Sequence, residues 1–138
     1  MTAYSGTPLA KKLGFKDGMA VWQSGLPATV RTTIDSQADV AWVEGAMDEP
    51  YAAHIFASER AEMEQRLGAM RDTMAQTGFI WMSWPKKASE MPTDITEDVI
   101  REVALPMGLV DIKVCAVDEI WSGLKLVIRK ELRGSPRL

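Results

Sequence analysis

The sequence predicts a three-layer α/β domain whose mostly parallel sheet ends in an antiparallel hairpin. Two observations carry this reading. Short apolar runs alternate with helix-period segments through the middle of the chain, and such strand, helix, strand connections set parallel strands side by side with helices on the sheet faces. The last two β-branched runs have only a turn between them, too short for a crossover, so they pair antiparallel. With 138 residues the chain suits one domain over residues 1–130. A polar tail over 131–138, with Gly134 and Pro136, is expected to fray.

Thr7-Pro8-Leu9-Ala10-Lys11-Lys12-Leu13-Gly14 reads as a short helix, with a capping residue, proline in the first turn and glycine past the end. Met19 to Gln23 follows the Lys16-Asp17-Gly18 turn as the first strand, and Ser24-Gly25-Leu26-Pro27 leads into a weak helix over Ala28 to Ile34. Val40 to Glu44 supplies a second strand. Ala52 to Ala57, an apolar run bounded by Pro50 and Ser58, supplies a buried third. From Glu59 to Gln76, Met63, Leu67, Met70 and Met74 recur at spacings of four, three and four and make one apolar stripe for the core. Glu62 and Arg66 oppose that stripe as an acid four residues before a base, and Gly78 ends the helix. Phe79 to Trp84 is the next strand, stopped by Pro85. Asp94 with Glu97 forms a capping-box-like start for a helix reaching Leu105, closed by Pro106 and Gly108. The hairpin runs out along Asp111 to Val117, turns through Asp118 to Gly123 and returns along Leu124 to Arg129.

Composition narrows function by exclusion. Hydrophobic and charged fractions of 46% and 25% match a soluble globular chain, and no apolar run approaches the ~20 residues of a membrane helix. The N-terminus lacks a charged start followed by an apolar stretch, so cytoplasmic residence is the expectation. A net charge of −3 gives no general drive toward nucleic acid, and none is expected as a partner. The single cysteine, Cys115, excludes an intramolecular disulfide and a multi-cysteine zinc site. It lies in a β-branched run with Ile112, Val114 and Val117 and reads as a buried structural thiol. The only histidine, His54, precedes Ile55-Phe56 in a strand. No complete triad, metal cluster or phosphate-binding loop can be read, so the sequence assigns no catalytic residue and no cofactor.

In an open α/β sheet, ligands sit beyond the carboxyl ends of the parallel strands. The strand from Phe79 delivers Trp84, Lys86 and Lys87 to that edge, and the strand from Asp111 delivers Asp118, Glu119, Trp121 and Ser122. Ser24 and Gly25 follow the first strand, and the start of the first helix (Tyr4, Ser5, Gly6, Thr7) should reach the same edge. Two lysines, hydroxyl groups and the free N–H groups expected near Thr93 and Asp94 would hold a phosphate, sulfate or carboxylate, with Trp84 and Trp121 as walls for a planar group. Segment by segment, these residues also read as solvated turns and as lids over the core.

Tyr4 to Gly14, Trp81-Met82-Ser83-Trp84-Pro85-Lys86-Lys87, Thr93-Asp94-Ile95-Thr96 and Val117 to Lys125 together resemble a bacterial family catalogued as domain of unknown function 3052. That family implies no activity. The order of elements in the second half also resembles a Rossmann-like methyltransferase. Such enzymes place a glycine-rich loop after the first strand for S-adenosylmethionine, whereas Val21 to Pro27 holds one glycine. Glu44 stands where a ribose-binding acid would sit in a dinucleotide fold. The resemblance implies one of two outcomes: a retained cofactor site with Glu44 at the ribose or, the favoured one, a shortened fold that has lost the cofactor site.

Three functions compete. The first is a binding or regulatory module for a small anionic ligand through Lys86, Lys87, Trp84 and Trp121. The second is an enzyme, or a degenerate methyltransferase, with Asp118 or Glu119 as general base and Lys86 stabilising developing negative charge. The third is an interaction domain whose tryptophans meet a protein partner or a second copy.

Overall fold

The computed structural model describes residues 7–133, so the expectations for Tyr4, Ser5, Gly6 and 134–138 lie outside the described residues. Six strands form one sheet: β1 (Ala20–Ser24), β2 (Ala41–Val43), β3 (Ala52–Phe56), β4 (Phe79–Pro85), β5 (Leu109–Ala116) and β6 (Trp121–Ile128). Their order is β2-β1-β3-β4-β6-β5. The pairs β1–β2, β1–β3 and β3–β4 are parallel, while β6 lies antiparallel to both β4 and β5. β5 therefore points the same way as β4, one strand removed.

Among the described residues, four α-helices cover the two faces. The apolar sides of α1 (Leu9–Leu13) and α2 (Ala28–Asp35) pack with Val21, Phe56, Phe79 and Trp81 on one face. α3 (Arg60–Thr73) and α4 (Glu97–Ala104) pack with Ile55, Ile80, Met82 and Leu126 on the other. The methionine stripe is core: Met63, Leu67, Met70 and Met74 are all fully buried, and each such side chain contributes ~1.5–3 kcal/mol over an exposed one. No helix among the described residues is long and apolar enough to cross a membrane.

Several expected boundaries move. α3 ends at Thr73, and Met74 turns extended with ψ 150 while its side chain stays in the core. Gly78 does not end the helix. It sits where an added Cβ would lie 2.2 Å from Tyr51 O, a backbone approach only glycine permits. The capping box is also corrected. Thr96 caps α4 by accepting from Val99 N at 3.2 Å, and Asp94 instead accepts from Arg60 N at 2.7 Å, capping α3. The hairpin turn is shorter than expected, because Trp121 and Ser122 already pair with β4 as strand residues. After β6, a 3-10 turn over Lys130–Leu132 seats Leu132 against the core.

Candidate functional site

β2 and β3 flank β1 on opposite sides, so the crossovers leaving and returning to β1 part there. Beyond the carboxyl ends of β1 and β3 is the place where open α/β sheets form a crevice. Here it is narrow. Gly25 adopts φ +68, and a Cβ on it would stand 2.6 Å from Phe56 O, so the loop after β1 lies directly against the end of β3. Ser24 is buried beside it. Glu44, just past β2, is exposed, and its carbonyl accepts from Trp22 Nε1 at 3.2 Å.

The β4 and hairpin loops meet. Lys86 N donates to Ile120 O at 2.7 Å, extending the β4–β6 pairing one step beyond Pro85 and Trp121. Asp118 Oδ1 accepts from Ile120 N and Trp121 N, each at 2.8 Å. This carboxylate thus fixes the turn, as aspartate does in Asx turns, and Glu119 beside it is exposed. Lys86 is half-buried and Lys87 exposed. Neither ammonium lies in an ion pair with a carboxylate among the described residues.

Other predicted partners are placed apart. Register pairs Pro85 with Trp121 and Trp84 with Ser122, so side-chain alternation puts the two tryptophans on opposite faces. Trp84 is 8% exposed in the α3/α4 core, and Trp121 meets Phe56 edge to face at 5.1 Å on the α1/α2 side. They cannot be two walls of one slot. Ser24 and Gly25 are separated from β4 by β3, about 10 Å away at two strand spacings. Thr93 Oγ1 donates to Ser58 O at 2.6 Å and accepts from Ile95 N at 3.1 Å, and Asp94 N donates to Ser58 O at 3.3 Å. Of the N–H groups expected to be free for an anion, those of Asp94 and Ile95 are thus occupied.

Helix starts at this edge differ in charge. α3 and α4 begin with acids, Glu62 in one and Glu97 with Asp98 in the other, besides their caps. α2 has no side-chain cap and no acid in its first turn, so its positive dipole end is uncompensated.

Sequence reasoning missed a buried polar pair. His54 Nε2 and Ser83 Oγ lie 2.9 Å apart, and both residues are fully buried. Burial pushes the imidazole down to about 3, so it is neutral near pH 7. Nδ1 has no hydrogen-bond partner among the described residues. The available signal was a serine at an inward position of the otherwise apolar β4. Cys115 is half-buried rather than buried, and desolvation raises its pKa against the opposing pull of Lys12 and Lys113. Among the described residues no group of three or more His, Cys, Asp or Glu could hold a metal ion.

The family described as "Protein of unknown function (DUF3052)" matches residues 10–130, nearly the whole domain. The chain belongs to this family. No curated protein matches it. Solved structures give the DUF3052 chain its fold. It is similar to a putative type 11 methyltransferase from Sulfolobus solfataricus, with TM-score 0.63 and 10% identity over 94% of each chain. A SAM-dependent methyltransferase from Aquifex aeolicus aligns at TM-score 0.58 and 12% identity, covering 87% of each chain. Magnesium protoporphyrin IX methyltransferase from Synechocystis aligns at 0.56 and 10%, over 86% of this chain and 78% of that one. The DUF3052 domain is thus a methyltransferase-like Rossmann fold.

Proposed function

We propose that this protein is a binding module for a small anionic ligand, or for an anionic group on a partner, held at the carboxyl edge of the sheet. The observation that carries this reading is the 2.7 Å bond from Lys86 N to Ile120 O. It clips two loops together, so the backbone that presents Lys86 and Lys87 is fixed before a ligand arrives, and less ordering entropy is lost on binding. Two ammonium groups outside any ion pair with a carboxylate among the described residues suit phosphate, sulfate or carboxylate. The uncapped start of α2 adds a second region of positive potential on the same edge. Binding is favoured over catalysis because Asp118 is held by two backbone donors and His54 is sealed in the core. Among the described residues at this edge, the hydrogen bonds join no carboxylate to a nucleophile, and the one imidazole–hydroxyl pair, His54 with Ser83, is buried.

A second reading, a retained S-adenosylmethionine site, draws on the fold and on Glu44 exposed at the end of β2. Against it stand the single glycine after β1 and its close contact with Phe56 O. A thermal-shift screen separates the two. The panel holds inorganic phosphate, phosphorylated metabolites, nucleotides and S-adenosylmethionine, run on the wild type and on the Lys86→Ala/Lys87→Ala variant. A ligand at a hundred times its Kd adds ~2.7 kcal/mol, several degrees for a domain of this size. The expected result is a shift with a phosphorylated compound that the double variant loses, while its own stability changes by less than ~0.5 kcal/mol. A shift by S-adenosylmethionine that survives in the variant supports the second reading, and no shift with any compound sinks both.

A further inference from the structure

We propose that α1 with Phe15 is an acid-released strap across one face of the sheet, and that the His54–Ser83 pair is its latch. α1 has five residues, too few to be helical without tertiary support. Hydrogen bonds tie it down. Trp81 Nε1 donates to Leu13 O at 2.7 Å, Ala10 N donates to Gln37 Oε1 at 2.8 Å, and Lys12 Nζ donates to Ala116 O at 3.2 Å. Leu13 and Phe15 are the buried plugs, and the Phe15 ring meets the His54 ring at 5.8 Å.

Among the described residues, the surroundings of His54 offer a proton no counter-charge. Phe56 lies 4.2 Å away ring to ring, Gln23 of β1 and Trp81 of β4 stand beside it in register, and Ser83 takes Nε2. The charged groups farther out on this face are Lys12 of α1, Lys125 of β6 and Lys113 of β5, with the half-buried Cys115 thiol on the edge strand β5. α2 contributes Arg31 and Asp35, and Asp35 is bound to Arg31 and Trp42. In the turn before β1, Asp17 accepts from Asp39 N. Desolvation is the sole cause of the depressed His54 pKa, so none of these charges compensates a buried imidazolium. The cheapest way to protonate His54 is to lift the strap and let water in.

The sign follows from linkage. A group with a depressed folded pKa favours the open state as pH falls, beginning near its open-state value of 6.5 and levelling off near 3. Between pH 7.5 and 4.5 the population with the strap open should therefore rise about 100-fold.

Native-state hydrogen exchange resolved by residue tests this. The probes are the Trp81 indole N–H and the Lys12, Gly14 and Phe15 amides in the strap, with the Met63 and Met74 amides in and after α3 as reference. The expected result is strap protection below that of α3 at every pH, falling about 100-fold from pH 7.5 to 4.5 after correction for intrinsic exchange. In His54→Gln the strap profile should be flat. Equal protection of the two sets would mean that only global unfolding exposes His54. A wild-type strap with no pH dependence would remove the latch. Either outcome overturns the proposal, and both are read on the wild-type protein.

Discussion

At the residue scale, two glycines with nearly the same backbone angle separate two kinds of constraint. Gly25 has φ +68 and would place a Cβ 2.6 Å from Phe56 O, whereas Gly18 has φ +78 with nothing within 4 Å. Alanine at Gly18 meets only the left-handed penalty of ~1 kcal/mol. Alanine at Gly25 adds a clash with a carbonyl that cannot rotate away, for a total of roughly 2–4 kcal/mol. Urea denaturation of the two variants measures the difference, and equal losses would show that the loop after β1 does not press on β3. The Gly25 turn was legible, since Ser24-Gly25-Leu26-Pro27 is turn chemistry. The contact with Phe56 was not, because it joins two elements distant in sequence. His54 and Ser83 escaped for the same reason: each is unremarked within its own strand, and only the sheet brings them to 2.9 Å.

At the element scale, the start of α4 shows how a local motif misleads. Asp94 and Glu97 have capping-box spacing, yet Thr96 is the cap, Asp94 reaches across to α3, and Glu97 pairs with Arg101 at 3.2 Å. Thr96→Ala and Asp94→Ala should each lower stability by ~1 kcal/mol, the first by uncapping α4 and the second by uncapping α3. Glu97→Ala should cost less than ~0.5 kcal/mol, because it removes only an exposed ion pair. Chemical denaturation of the three variants tests the assignment, and a dominant loss in Glu97→Ala would restore the capping box. Asp94 also bonds Ser58 O through its own N–H. The β4–α4 loop is thereby pinned to the start of α3, which keeps Lys86 and Lys87 on a supported segment. At the far edge β5 exposes Ile112 and Val114, at 56% and 53%. The register shift between Asp111 and Lys113, with the lysine itself, interrupts that edge, as sheet proteins do against edge pairing.

At the scale of the whole molecule, one buried histidine ties stability to pH. Its pKa is lowered from 6.5 to about 3 by burial, so the unfolded chain binds the proton more readily than the folded one. Its contribution is complete above about pH 6.5 and is lost as pH falls toward 3. By pH 4.5 the loss is about 3 kcal/mol, two units at 1.36 kcal/mol each. Urea melts of the wild type and His54→Gln at pH 7.5 and 4.5 isolate this share. A difference between the two proteins that does not change with pH would show that His54 is not held neutral. The strap is the local expression of the same linkage, because a partial opening that wets His54 costs less than unfolding the sheet.

The sequence by itself determined the class of the domain, the order of its strands and helices, the methionine stripe as core, and the meeting of the Lys86 and Asp118 loops at one edge. These follow from local periodicity, turn chemistry and the rule that parallel strands share a carboxyl edge. The tertiary structure alone decided that β6 inserts between β4 and β5, because an antiparallel hairpin can dock by either strand and only packing chooses. That insertion sets the register that sends Trp84 and Trp121 to opposite faces. It also decided which N–H groups at the edge remain available, since Asp94 and Thr93 bind partners more than thirty residues away. Hydrogen-bond satisfaction across elements depends on distances in space, which local sequence does not encode.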